Sequence, residues 1–152
     1  MRPKHPSVLV LMLVVGAAFI FGCTPKQISP LPEGIETTCI QGSVLYKSPV
    51  DGKEVPYAGA TVGVWIHDTK QGLTETKTDA RGNFCLAVPL GDFKVDVRVW
   101  GMIRLEHKAY ICKGSADNID LGNLPGKCGT GDCLKVMIST DCSKYIPSRR
   151  RS

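Results

Sequence analysis

Seven cysteines constrain this chain more than any other residue type, because their number is odd and their placement uneven. Cys23 ends an apolar leader, and the other six, Cys39, Cys85, Cys112, Cys128, Cys133 and Cys142, are spread over the remainder. The leader starts with Arg2, Lys4 and His5 and holds no acidic residue before Cys23. Residues 8–21 are all apolar or small. A basic start, a short apolar run and a small residue at the boundary read as a signal peptide rather than a membrane span, which needs roughly 20 apolar residues. An exported chain meets an oxidising compartment. With Cys23 set apart at the boundary, six cysteines remain, the even count that a disulfide framework requires. Cys128 and Cys133 are the local candidate pair, across the flexible run Gly129-Thr130-Gly131-Asp132. Cys39 or Cys85 is then expected to reach Cys112 or Cys142.

The tetrad Ile20-Phe21-Gly22-Cys23 resembles a bacterial lipobox, with Ile where Leu is usual and Phe21 where a smaller residue is usual. The resemblance implies cleavage before Cys23, with diacylglycerol on its sulfur and an acyl chain such as palmitate on its nitrogen. Several acyl chains hold a protein on a membrane far more firmly than one does. The ordinary reading is a plain secretory signal or an uncleaved anchor. The expected location is the cell membrane or outer membrane, facing the periplasm or the exterior. Thr24 follows Cys23, and the lack of Asp there resembles the outer-membrane sorting signal.

Removing 22 of the 152 residues leaves 130, enough for one domain with a core. The chain has 19 Lys and Arg against 14 Asp and Glu, and two of the basic residues leave with the leader. A remaining charge of +3 is mild and no nucleic-acid partner is expected. The one cluster, Arg149-Arg150-Arg151, lies in a basic tail over 146–152, read either as solvated or as a contact for anionic head groups and envelope polymers.

Residues 23–36 read as an acylated cysteine and a tether, because Pro25, Pro30 and Pro32 oppose helix and favour extended geometry. Residues 37–145 read as one domain of strands. Runs are predicted over 37–46, 60–67, 73–78, 83–88 and 93–100, with shorter ones over 108–112 and 134–140. Residues 47–59 read as loop and 114–133 as an irregular Gly-, Asn- and Cys-rich stretch. Alternation puts Val62, Val64 and Ile66 on one face, and Phe93, Val95, Val97 and Val99 on another, opposite Lys94, Asp96 and Arg98. Leu73 to Thr78 is polar and Thr-rich, as an exposed edge strand would be.

Residues 39–100 resemble the carboxypeptidase regulatory-like domain. The resemblance rests on Ile40-Gln41-Gly42-Ser43-Val44, on Gly59-Ala60-Thr61-Val62-Gly63-Val64, on Thr78-Asp79-Ala80-Arg81-Gly82-Asn83-Phe84, and on Pro89-Leu90-Gly91-Asp92-Phe93-Lys94-Val95. It implies an all-β, antiparallel Greek-key sandwich of about seven strands with the transthyretin-like (prealbumin-like) fold. The Cys-rich residues 101–152 depart from the pattern and read as a C-terminal elaboration. Such modules accompany many envelope proteins, so the fold leaves function open.

No catalytic constellation is present in the sequence. His67 and His107 stand in no zinc-peptidase motif, and there is no Gly-x-Ser-x-Gly elbow or phosphate-binding loop. Related sandwich enzymes leave little match: hydroxyisourate hydrolases end Tyr-Arg-Gly-Ser where this chain ends Arg-Arg-Arg-Ser, and His107 with Tyr110 is only a fragment of an intradiol dioxygenase's iron ligands. Zinc on Cys112, Cys128, Cys133 and Cys142 competes with disulfides, but the close cysteine pairs that mark zinc sites are missing. No metal, cofactor or enzymatic activity is therefore expected. Trp65 and Trp100 fall on strand faces opposite the apolar rows. Exposed, they would stack on sugars or anchor a protein; alternatively 101–152 covers them, each under a disulfide. The expected function is a lipid-anchored, non-catalytic binding or assembly module of the cell envelope with a protein partner. The alternatives are a subunit of a secretion or surface-organelle complex, a glycan-binding module, or a small sandwich-fold enzyme.

Overall fold

The computed structural model describes residues 31–123 and 125–147. The expected signal peptide over 1–22, Cys23, residues 24–30 of the expected tether and residues 148–152 of the basic tail lie outside the described residues.

The described chain is all β. Its strands are β1 (Thr37–Lys47), β2 (Glu54–Pro56), β3 (Thr61–Ile66), β4 (Gly72–Lys77), β5 (Asn83–Pro89), β6 (Lys94–Leu105), β7 (Lys108–Asp120) and β8 (Leu134–Lys144). They form one curled sheet in the order β2-β1-β8-β7-β6-β3-β4, with β5 also on β1. β5 pairs with residues 37–43 of β1, and β2 with residues 45–47.

The sheet is mixed, which corrects the expectation of purely antiparallel pairing. β8 runs parallel to β1 over Leu134–Thr140, then antiparallel to β7 over Asp141–Lys144. The Cys-rich C-terminal part is therefore no appendage, since β8 fills the middle of the sheet. Its alternation explains why: Ile138 and Thr140 are buried with Val136 and Cys142 half-buried, while Lys135, Met137, Ser139 and Asp141 face out. A strand with one apolar row completes a half-buried sheet.

Three other expectations change. Residues 54–56, read as loop, pair with β1. β6 continues through Gly101 to Leu105 and β7 reaches Asp120, because the two pair along nearly their whole length. Tertiary pairing overrides weak local propensity there. The Thr-rich β4 does end the sheet order, yet Thr74, Thr76 and Thr78 are buried. Thr78, just past the end of β4, is satisfied there: its hydroxyl donates to the Tyr57 carbonyl and accepts the Ala60 N–H at 2.9 Å.

The core runs between the inward faces of the curled sheet. Ile40 and Val44 of β1 meet Val62 and Val64 of β3, Phe84, Leu86 and Val88 of β5, and Val95, Val97 and Val99 of β6. The turn between β4 and β5 is built by Asp79, whose Oδ1 accepts the N–H groups of Arg81 and Asn83 at 2.8 and 2.9 Å. Gly82 closes that turn at φ 77°, so near β1 that a Cβ would lie 2.6 Å from the Val44 carbonyl oxygen.

The β6–β7 hairpin turns on Glu106 and His107, at φ 48° and 64°. Two-residue hairpin turns with both central residues at positive φ normally use Asn-Gly, because a side chain strains there. Replacing Glu106-His107 by Asn-Gly is expected to raise stability by about 1 kcal/mol, through relief of that strain. A higher midpoint in urea unfolding at unchanged slope is the check.

All six cysteines of the domain are in disulfides: Cys39–Cys133, Cys85–Cys128 and Cys112–Cys142. Neither the local Cys128–Cys133 pair nor a bridge from Cys39 or Cys85 to Cys112 or Cys142 forms. Cys112 and Cys142 stand directly opposite on β7 and β8. Cys39 and Cys85 lie on the β1–β5 pair, where the 121–133 connection arrives to begin β8. The four cysteines weighed as zinc ligands are thus divided among three bridges.

Candidate functional site

The outward face of β3, β6 and β7 carries a groove of about 1040 Å³. Its floor is Trp65 and Trp100, and β7 contributes Ile111, Lys113, Ser115 and Asp117. Strand parity puts the indoles there, because the apolar rows of both strands take the inner face.

The two indoles lie 5.4 Å apart between centroids, at an interplanar angle of 56°. Both rest over Gly63: a Cβ on that residue would lie 2.5 Å from the Trp65 ring and 3.1 Å from the Trp100 ring. Gly63 is therefore a seat for the aromatic pair rather than a turn residue. The Arg98 guanidinium sits over the Trp65 ring, 5.1 Å from its centroid. Such a contact contributes about 0.5–1 kcal/mol at exposed sites and holds the ring in place.

Beside the indoles lies a polar cluster centred on Asp96, which is 5% exposed. Its position depends on a bulge. Val95 pairs with Ile119 and Val97 with Ala116, so two residues of β7 face the single residue Asp96. Bulges redirect groups in this way. Asn118, at φ 58°, turns its N–H onto Asp96 Oδ1 at 2.9 Å. His67 Nδ1–H donates to the same oxygen at 2.6 Å, a direction fixed because a carboxylate only accepts. Arg98 donates to Oδ2 at 3.4 Å, and His67 Nε2 lies 3.4 Å from exposed Asp68.

Burial by itself would raise the Asp96 carboxyl. The Asn118 N–H, His67 and Arg98 outweigh burial and hold it below the ordinary carboxylate value. The sign follows from linkage: a carboxyl depressed in the fold contributes stability above its unfolded pKa, about 3.9, and loses it as pH falls through the lower native value. Asp96→Asn is therefore expected to flatten the acid side of the stability profile. Urea midpoints near pH 6 and near pH 3 should differ less for the variant than for the parent, and an equal drop in both would remove Asp96 from this role.

The two tryptophans singled out from sequence are thus brought together, and β7 walls their groove. No cysteine is among the residues lining it, while Ile111, Lys113, Ser115 and Asp117 of 101–152 are. His67, Asp96, Arg98, Lys113 and Asp117 were not anticipated as site residues. The outward parity of Asp96 and Arg98 was visible, but their link to His67 and Asn118 depends on the bulge, which leaves no sequence mark. His107 is at the hairpin tip, remote in sequence from this cluster. Among the described residues the only tight group of metal-type side chains is Cys85, Cys128 and Cys133, and all three sulfurs are bonded in disulfides.

No protein-family model matches the chain. No curated protein matches it either. Among solved structures it is similar to a 9R-lipoxygenase from Cyanothece PCC8801, with 15% identity and a TM-score of 0.44 over 82% of this chain. The chain spans 20% of the length of that lipoxygenase chain. A likeness of this degree assigns neither fold family nor activity.

Proposed function

We propose that this chain is a lipid-anchored, non-catalytic binding module of the cell envelope that holds a protein partner in the Trp65–Trp100 groove. The observation that carries the reading is the indole pair, seated on Gly63 and rimmed by charged groups, on a sheet face pointing away from the core. Half-buried tryptophans with polar neighbours are the composition of binding hot spots. The anchor part rests on sequence: with six cysteines paired among themselves, Cys23 at the end of the leader is left for acylation. The transthyretin-like Greek-key arrangement belongs to this proposal too, supported by the turn and core residues of 39–100 and by two strand groups that meet through β8.

A glycan is the second reading. Planar hydrogen-bonding groups, Arg98, Asp96 and His67, flank the aromatic floor, and sugars offer an apolar face beside hydroxyls.

In-cell crosslinking tests the choice. One protein crosslinked to the parent and lost on Trp65→Ala and Trp100→Ala is expected. Crosslinking that both variants retain would remove the groove from the function. No crosslinked protein, with indole fluorescence quenched by envelope polysaccharide, would favour the glycan. Cys23→Ser should move the protein from the membrane fraction to the soluble one, and persistence in the membrane would overturn the anchor.

A further inference from the structure

Two of the three disulfides abut. The Cys85 sulfur is 3.8 Å from the Cys133 sulfur, although each is bonded elsewhere. The sulfurs of Cys85, Cys128 and Cys133 all lie within 4.8 Å of one another. Access differs sharply along this cluster. Cys128 is exposed and Cys85 half-buried, whereas Cys133 is 7% exposed and Cys39 fully buried.

From this geometry we propose that Cys128 is a modification site for an external thiol, and that its modification passes inward as a disulfide exchange that frees Cys39. Thiol–disulfide exchange needs a thiolate to reach a disulfide sulfur, so access selects the bond attacked. In the first step an external thiolate attacks the exposed Cys128 sulfur. The Cys85–Cys128 bond breaks, a mixed disulfide forms on Cys128, and Cys85 leaves as a thiolate. In the second step the Cys85 thiolate attacks Cys133 at near-contact distance. The Cys39–Cys133 bond breaks, Cys85–Cys133 forms, and Cys39 leaves as a thiolate that takes a proton from water. One disulfide is exchanged for another in each step, so no further oxidant or reductant is required.

The Cys39–Cys133 bridge is largely shielded from external thiols, and Cys85 is the attacker already placed against it. Holding the reacting groups together makes the second step intramolecular. The loop supplying Cys128 also accommodates the change: Gly129 and Gly131 sit at φ 91° and 83°, and no heavy atom lies within 4 Å of where a Cβ would stand at either. The consequence is local. The covalent tie holding the start of β1 to the start of β8 moves to β5, leaving the start of β1 held by strand pairing alone. The inference does not depend on what the groove binds.

The test uses the folded, full-length protein with one equivalent of reduced glutathione, an acid quench, alkylation and peptide mapping. Glutathione on Cys128, alkylated Cys39 and a Cys85–Cys133 bridge are expected. Alkylated Cys85 with Cys39–Cys133 intact would overturn the exchange, as would glutathione on Cys39 or Cys133 while Cys85–Cys128 persists. Cys128→Ser offers a second route, since Cys85 then lacks its partner from synthesis. A Cys85–Cys133 bridge with free Cys39 is expected in that variant, and a free Cys85 beside an intact Cys39–Cys133 bridge overturns the proposal.

Discussion

Gly42→Ala is expected to destabilise the domain by about 3 kcal/mol or more, and to do so without touching the groove. Gly42 lies in β1 opposite Val136 of β8 in the parallel pair. A Cβ there would stand 1.7 Å from the Val136 carbonyl oxygen and 2.8 Å from its carbon, with the Phe84 ring at 3.3 Å. The first two are backbone atoms of the central strand and cannot rotate aside. The methyl group forces the strands apart where the sheet changes from antiparallel to parallel pairing. Gly59 supplies the contrast: it has φ 72° with no atom within 4 Å of a Cβ, so Gly59→Ala costs only the left-handed backbone, about 1 kcal/mol. Urea unfolding of both variants checks the ranking, and a Gly42→Ala midpoint above that of Gly59→Ala would contradict the close approach.

Removing the Cys39–Cys133 bridge by double substitution to alanine is expected to cost about 4–5 kcal/mol, against about 3–4 kcal/mol for Cys112–Cys142. The chain-entropy argument sets the order, because the first bridge spans 94 residues and the second 30. Strand pairing reinforces it: Cys112 and Cys142 face each other across paired strands that hold without a bridge, while Cys133 precedes the first residue of β8 and Cys39 lies near the start of β1. Thermal midpoints of the two double variants, measured under one oxidising buffer, decide the order.

The sequence made much of this fold legible where local chemistry acts alone. β3, β5 and the first half of β6 have strict alternation, and their boundaries fall within a residue or two of the predicted ones. Asp79 and Gly82 announce their turn. The parallel pairing of β1 with β8 was not legible, because nothing in either strand records which way its neighbour runs. The disulfides divide in the same manner. Their number follows from parity once Cys23 is set apart, whereas their partners follow from strand register over tens of residues. At the groove, parity placed Trp65 and Trp100 outward, but the meeting of His67, Asp96 and Asn118 is made by a bulge that no side-chain pattern encodes. The hairpin turn at Glu106-His107 left no signal, since it lacks the residues that normally mark a two-residue hairpin.

The place of β8 in the middle of the sheet sets the order in which this molecule can assemble. β1 is synthesised well before β8, so one of its edges waits until residues 134–140 arrive. β7 waits likewise for residues 141–144. Until then two strand edges stand open, the condition in which chains pair with one another instead of with themselves. Closing a contact across nearly the whole domain is also slow compared with hairpin formation. A chaperone that keeps such a chain from associating with its copies would find its target in the edges of β1 and β7.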